Sequence, residues 1–86
     1  MKIDARITTV IGDEKLKAYA SICFDDAFLV KGLKVVNGSR GMFVAMPSRK
    51  TKHGEYLDIC FPIVKELREE VNNAVLEAYR KKLEEM

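Results

Sequence analysis

LDICFPIVKELREEVNNAVL, residues 57–76, contains a change in the spacing of its apolar side chains. Up to Phe61 they alternate with a period of two, whereas from Pro62 onward they recur every 3.6 positions. Proline suits the first turn of a helix, where its missing N–H would have no partner. We therefore predict one helix over residues 62–86. The buried stripe is expected to contain Leu67, Val71, Ala74, Val75, Ala78 and Leu83, and the solvent side Arg68, Glu69, Asn72, Arg80 and Glu84.

The residues that precede the helix show the alternation typical of β-strands. Residues 3–11 and 16–24 each place apolar side chains at every second position, and a turn at Gly12-Asp13 separates them. This pattern predicts a β-hairpin with one buried face. The buried side chains are expected to be Ile3, Ala5, Ile7, Thr9 and Ile11 in the first strand and Leu16, Ala18, Ala20, Ile22 and Phe24 in the second.

Glycines mark the later breaks in the sheet. The apolar parity of the third strand changes across Gly32, so a β-bulge at this glycine is needed to keep one face buried. Asn37-Gly38 is a strong hairpin-turn signal. Residues 42–46 follow as a short apolar strand, which we expect at the centre of the sheet. His53-Gly54 marks the next reversal, and residues 56–61 are expected to form a brief last strand.

These patterns predict an α+β fold in a single domain over residues 1–86. We expect an antiparallel β-sheet of four to five strands within residues 1–61, followed by one long C-terminal helix over residues 62–86. The composition, 48% hydrophobic and 33% charged residues, is typical of a folded protein. Because so short a chain has a thin core that self-association would stabilise, we expect a homodimer.

Neither a membrane segment nor a signal peptide is evident in the sequence. No apolar run approaches the ~20 residues that a membrane span requires. The N-terminal stretch MKIDARITTV has no hydrophobic signal region. We therefore expect a cytoplasmic protein without membrane contact.

Few residues suit catalysis or metal binding. Asp25-Asp26 are adjacent in the chain, so their side chains diverge instead of sharing a substrate. Cys23, Cys60 and the single histidine, His53, would supply three zinc ligands, but they lack the paired spacing of a zinc site. We interpret the two cysteines as small buried side chains. We expect no enzymatic activity, metal, cofactor or small-molecule substrate.

Residues 40–53 carry four cations and no acid, and the cations are Arg40, Arg49, Lys50 and Lys52. One interpretation is a solvated hairpin tip, where lysines discourage aggregation. The other is a phosphate-binding loop, in which arginine offers a bidentate fork and Ser48 and Thr51 add hydroxyl donors. Because Pro47 ends the apolar strand, we expect both Arg49 and Lys50 to project from one rim of the sheet.

Two further groups of residues are assigned structural roles. Arg80-Lys81-Lys82 is interpreted as a complement to the negative end of the helix dipole. The aromatic residues are interpreted mostly as strand core and not as an exposed array for base stacking. They are Tyr19, Phe24, Phe28, Phe43, Tyr56, Phe61 and Tyr79.

Residues 34–63, KVVNGSRGMFVAMPSRKTKHGEYLDICFPI, carry a resemblance to a known family. An NG turn is followed by GMFVAMPSRKT, then by a glycine-containing loop, an aromatic residue, Asp-Ile and a proline. This order resembles the signature of the SpoVG (stage V sporulation protein G) family, and the likeness extends over nearly the whole chain. The chain departs from the pattern at Phe61, where the family usually has histidine, and at Arg40, where a small polar residue is common.

The resemblance implies a homodimeric, site-preferring DNA-binding regulator linked to septation and sporulation, with RNA as a second candidate ligand. It also implies an antiparallel sheet followed by a C-terminal helix. The basic pair that the family uses for DNA contact falls on Arg49 and Lys50. The alternative function is a protein-interaction module whose basic loop docks on acidic partners without binding nucleic acid.

Overall fold

The main sheet contains four antiparallel strands in the order β1-β2-β3-β4. The computed structural model describes residues 1–86. The strands are β1 (Ile3–Val10), β2 (Leu16–Phe24), β3 (Phe28–Gly38) and β4 (Gly41–Ala45). A second, two-stranded sheet follows, and its strands are β5 (Ser48–Lys50) and β6 (Tyr56–Asp58). One C-terminal helix, α1 (Lys65–Glu85), completes the α+β fold that the sequence predicts.

The helix begins later than the sequence indicates. Pro62 precedes the first turn, and α1 starts at Lys65 after Val64, whose backbone is extended with φ −120° and ψ 145°. Ile63 and Val64 are β-branched, and such residues favour an extended backbone over a helical turn. Neither offers a side-chain oxygen to the free N–H groups of the first turn. Pro62 instead lies half-buried in the segment that leads to the helix.

The core lies between α1 and one face of the main sheet. On β2, Ala18 and Ala20 are fully buried, and their small side chains leave room for the helix to approach. The buried apolar residues are Ala18, Ala20, Ile22, Leu33, Val35, Met46, Val71 and Val75. The helix packs against all four strands, most extensively against β1. Leu83 was expected in the stripe but is exposed, because it lies in the last turn of α1, beyond the buried residues.

The register of the main sheet shifts at three places, one of which lies between Leu16 and Ala18 of β2. The predicted bulge at Gly32 is confirmed, since Ala20 pairs with Leu33 while Ser21 pairs with Lys31, which leaves the glycine unpaired. A second bulge, which the sequence analysis did not predict, lies between Ile7 and Thr9. After this bulge, the even-numbered side chains of β1 face the core instead of the odd-numbered ones. Thr9 and Ile11 are therefore exposed, contrary to expectation, and Val10 lies opposite Ala18.

The turn between β3 and β4 is displaced from the predicted Asn37-Gly38. These two residues end β3, where Asn37 pairs with Met42 and Gly38 with Gly41, so the loop consists of residues 39–40. The Asn37 N–H donates to the carbonyl oxygen of Lys15 at 2.8 Å, which holds the residue in the strand. Gly38 is needed for space, since a Cβ there would lie 2.8 Å from the ring of Phe43.

The strand β4 is an edge strand, and the expected central position is wrong. The residues of β4 are apolar because the helix covers this edge of the sheet. Asn72 on α1 was assigned to the solvent side but is half-buried, and its Oδ1 accepts a hydrogen bond from the Val44 N–H at 3.2 Å. An exposed strand edge is a template for unwanted pairing, and this contact closes part of it.

No helix in the fold combines the length and the apolar character that crossing a bilayer requires.

Candidate nucleic-acid interface

Residues 48–58 form a two-stranded antiparallel unit, which we call the basic ribbon, that is separate from the main sheet. It is anchored at its base. Met46 is buried in the core immediately before the ribbon, and the Ile59 N–H donates to the carbonyl oxygen of Pro47 at 2.7 Å where the ribbon returns. The chain therefore leaves the core and comes back to it at a fixed point.

Arg49 and Lys50 lie in strand β5, not in a loop as the sequence analysis expected. Arg49 pairs with Leu57, and Lys50 pairs with Tyr56. Successive side chains of a strand point to opposite faces. The two cations therefore leave the ribbon on opposite sides and do not project together. The expectation failed because a proline followed by polar residues suggests a loop, whereas pairing with β6 makes these residues a strand.

The tip of the ribbon is an ordered turn that contains the predicted reversal at His53-Gly54. The Thr51 N–H donates to the Glu55 carbonyl at 2.7 Å, and the Glu55 N–H donates to Thr51 Oγ1 at 3.2 Å. Gly54 has φ 83°, a left-handed conformation that glycine adopts without strain. The oxygen of the Thr51 hydroxyl thus already accepts a bond within the turn. Lys52 and His53 are exposed at the tip.

None of the ribbon cations forms an ion pair within the chain. The five ion pairs of the protein involve Lys2, Arg6, Lys65 and Arg80 as their cations. Arg49, Lys50 and Lys52 are all exposed, and Ser48 beside them is half-buried. The acids of the ribbon, Glu55 and Asp58, lie on its returning side. The outgoing strand β5 therefore presents positive charge that nothing within the chain neutralises.

Arg40 is separated from the other predicted site residues. It occupies the loop between β3 and β4, at the opposite end of β4 from Pro47. At about 3.3 Å per strand residue, this places it roughly 20 Å from the base of the ribbon. Five of the six predicted site residues therefore lie in the basic ribbon, and Arg40 does not.

Tyr56, which was not predicted as a site residue, lies directly opposite Lys50 on the same face of the ribbon. Its side chain is 66% exposed, although we expected the aromatic residues mostly in the core. Phe28, Phe43 and Phe61 are exposed as well. The sequence did contain a signal for this contact. Tyr56 follows the glycine turn that reverses the chain after the basic residues, which places an aromatic side chain opposite them. The structure thus adds an aromatic contact surface beside a cation.

The cations of α1 differ from those of the ribbon. Arg80 donates to Glu77 Oε2 at 3.3 Å and to Glu84 Oε1 at 2.7 Å. The hydrogen bonds from Arg80 hold the pKa of Glu77 below its ordinary value, and the bonds to Glu77 raise the pKa of Arg80 further. Arg80 is therefore already neutralised by its own helix, whereas Lys81 and Lys82 remain exposed and unpaired.

The two cysteines are free thiols, and both are half-buried instead of fully buried as expected. Cys23 lies in β2, and Cys60 lies between β6 and α1. No three His, Cys, Asp or Glu side chains lie close enough together to hold a metal ion.

The fold and the ribbon together define a small α+β protein that presents an unpaired basic strand on a separate β-ribbon. The family model described as SpoVG matches residues 1–81, and the chain belongs to the SpoVG family. The resemblance seen in the sequence is thereby confirmed.

Three relatives illustrate the similarity, and each is named "Putative septation protein SpoVG". The relative from Clostridium botulinum (strain Alaska E43 / Type E3) is 48% identical over 82 residues, which cover 95% of this chain and 90% of the relative. The relative from Desulforudis audaxviator (strain MP104C) is 51% identical over 76 residues, with 88% and 86% covered. The relative from Macrococcus caseolyticus (strain JCSC5402) is 45% identical over 80 residues, with 92% and 70% covered.

Proposed function

We propose that this protein is a dimeric, site-preferring DNA-binding regulator of septation and sporulation-type gene expression, and that it holds DNA phosphates with its basic ribbon. The observation that carries the proposal is the exposed, unpaired set Arg49, Lys50 and Lys52 on a ribbon anchored to the core. Membership of the SpoVG family and the septation name of its relatives support the biological role.

The shape of the ribbon favours duplex DNA as the ligand. The major groove of B-form DNA admits a two-stranded β-ribbon. Because Arg49 and Lys50 leave opposite faces of the ribbon, they would meet phosphates on both walls of a groove that holds it. Contacts to phosphates position a protein on DNA but do not read its sequence. Tyr56 and Ser48 are among the uncharged ribbon residues available for contacts with base edges.

RNA is the second candidate ligand, and the ribbon fits its duplex form less well. The major groove of A-form RNA is too deep and narrow for side chains to read. Binding to RNA would therefore use single-stranded segments, with Tyr56 stacking on a base next to a phosphate held by Lys50.

The experiment measures duplex affinity as a function of salt for Arg49→Ala plus Lys50→Ala. Each phosphate contact contributes a slope of about −0.9 in log affinity against log salt. The double variant removes up to four contacts per dimer, so we expect most of the affinity to be lost and the slope to become shallower by roughly two to four. Both side chains are exposed, so circular dichroism should show the wild-type fold.

The control is Lys81→Ala plus Lys82→Ala, which removes the same charge from α1 and should change binding less. If the ribbon variant binds as wild type while the helix variant fails, α1 is the DNA-contacting element and the ribbon assignment is wrong. If the wild-type protein shows no salt-dependent binding to duplex DNA or to RNA, the DNA-binding proposal fails and the protein-interaction alternative replaces it.

A further inference from the structure

The segment that joins the basic ribbon to the helix exposes apolar side chains at every second position. We call Leu57, Ile59, Phe61 and Ile63 the apolar ridge. Ile59 is 65% exposed and Ile63 is 87% exposed, and the other two are at least half exposed. Single exposed apolar residues are normal on a soluble protein, whereas a contiguous set marks a surface that contacts something.

An apolar groove lies directly beside the ridge. It has a volume of about 190 Å³, and it is bounded by Ile22 and Leu33 of the sheet and by Leu67 and Val71 of the helix. Phe61 belongs to both features, because it lines the groove and is itself exposed. Phe61 therefore connects the apolar ridge to the groove.

The chain as a whole exposes more surface than a folded monomer of its mass normally does. A monomer of 9.8 kDa typically exposes about 5,200 Å². This protein exposes 6354 Å², an excess of more than about 1,000 Å². In a standard interface each partner buries about 800 Å². The excess over the whole chain is as large as the surface that one partner buries in a standard interface.

The charges around the ridge favour a second copy of the same chain as the partner. The first turns of α1 next to the ridge carry charges of both signs, two cations and three acids, which are Lys65, Glu66, Arg68, Glu69 and Glu70. A rim of both signs can pair with its own copy, whereas an anionic lipid surface attracts a predominantly basic rim. A two-fold interface requires a self-complementary surface, and exposed apolar side chains beside an apolar groove supply both of the parts that such a surface needs.

We infer that the apolar ridge and the groove beside it form the interface through which two copies of this chain pair. The groove of each copy receives ridge side chains of the other, including Ile63. This inference rests on the dimer of the proposed function and names the surface that makes it.

The pairing also makes the nucleic-acid surface a composite of both copies. Leu57 of the ridge lies opposite Arg49 on the same face of the ribbon, so Arg49 stands at the border of the interface. Neighbouring strands lie about 4.8 Å apart, and the basic strand β5 is therefore one strand away from the joined surface. Each copy contributes its β5 cations to one site, which a single chain cannot complete.

The test is the double variant Ile59→Glu plus Ile63→Glu, with Ile11→Glu as the matched control. Ile11 is an exposed isoleucine in the turn between β1 and β2, away from the ridge. Sedimentation at micromolar concentration should give twice the chain mass for the wild type and the control, and the chain mass for the ridge variant. Circular dichroism should show the same fold for all three, because each replaced side chain is already exposed in the single chain.

Salt-dependent binding of the same three proteins to a DNA duplex tests the composite site. We expect the ridge variant to show about half the wild-type salt slope, since a monomer brings half the phosphate contacts. A ridge variant that remains dimeric would overturn the interface while leaving the proposed function intact. A monomeric ridge variant with the full salt slope would overturn the composite site. A monomeric wild type would overturn both the inference and the proposed dimer.

Discussion

Tyr56 shows how a single pair of positions shapes the site. It lies opposite Lys50 in the ribbon, and cross-strand neighbours have Cβ atoms about 5 Å apart. The phenol ring and the ammonium group are thus available to one ligand at the same time. On the other face, Arg49 has Leu57 as its neighbour. The two faces of the ribbon consequently offer different chemistry, with an aromatic contact beside Lys50 and an aliphatic one beside Arg49.

We predict that Tyr56→Ala weakens DNA binding without changing its salt slope, because tyrosine contacts release no counterions. Burying an aromatic side chain contributes about 1.5–3 kcal/mol, so the dissociation constant should rise by about tenfold or more. Tyr56→Phe keeps the ring and should bind nearly as wild type. Titration of a labelled duplex at several salt concentrations measures both quantities. An unchanged affinity for Tyr56→Ala would show that the ring does not touch the ligand.

Among the elements, β3 owes its shape to one residue. Gly32 has φ 88° and forms the bulge that returns Leu33 and Val35 to the core after Lys31. A Cβ at this position would lie 3.8 Å from Pro47, an ordinary contact distance. The demand for glycine is therefore conformational and not steric.

We predict that Gly32→Ala destabilises the protein by about 1–2 kcal/mol, which is the usual penalty for an L-residue in the left-handed region. Gly32→Asn should be less damaging, since asparagine tolerates this region better than alanine. Urea unfolding followed by circular dichroism measures the difference in free energy. Equal stability of the alanine variant and the wild type would mean that the bulge can move along the strand.

The helix carries a pH-dependent contribution through Glu77. The pKa of this carboxyl is lowered in the folded state, chiefly by its hydrogen bonds with Arg80 and also by the charge of Arg80. A group with a lowered folded-state pKa stabilises the fold above its unfolded pKa, and that contribution disappears as the pH falls through the folded value. Glu77 lies on the solvent-exposed side of α1, so the contribution is small.

We predict that Glu77→Gln lowers the melting temperature slightly at neutral pH. The difference between the variant and the wild type should shrink as the pH falls below about 4.5, the ordinary value for Glu, and vanish once Glu77 is protonated. Thermal unfolding at a series of pH values measures this. Glu69→Gln is a control, because Glu69 makes only a 4.0 Å contact with Lys65. A difference that grows in acid would contradict the assignment.

Helices, strands and bulges that are determined by neighbouring residues could be predicted from the sequence. The pairing between segments that are distant in the sequence could not. The Gly32 bulge was predicted from the change in alternation of apolar residues in β3. The helix was predicted from its 3.6-residue spacing, and its start was correct to within a few residues. The ribbon was not predicted, because Ser48–Lys50 contains no apolar or β-branched residue and becomes a strand only by pairing with Tyr56–Asp58. The divergence of Arg49 and Lys50 depends on that pairing and was missed for the same reason.

The whole molecule has a small interior for its size. Only nine of its 86 residues are buried, and a single polar residue, Ser21, is among them. The apolar ridge and groove remain outside this core. A fold with so small a core gains stability from further burial, and the interface that we infer would supply it.

We predict that the melting temperature of the wild-type protein rises with protein concentration, by roughly 3–5 °C for each tenfold increase. Dimerisation stabilises the folded state by mass action, which is the physical reason. Scanning calorimetry over two decades of concentration measures the shift. The variant Ile59→Glu plus Ile63→Glu should show no such dependence, and a wild-type melting temperature that is independent of concentration would contradict dimer-linked stability.

The packing of α1 against β1 affects how the protein folds during its synthesis on the ribosome. β1 is synthesised before the other strands, and α1 is synthesised after all of them. The helix nevertheless packs more extensively against β1 than against any other strand. While the ribosome is still adding α1, the apolar face of the nascent sheet has no cover. The sheet therefore cannot close over its core during translation, and native folding is completed only when the helix has emerged from the exit tunnel.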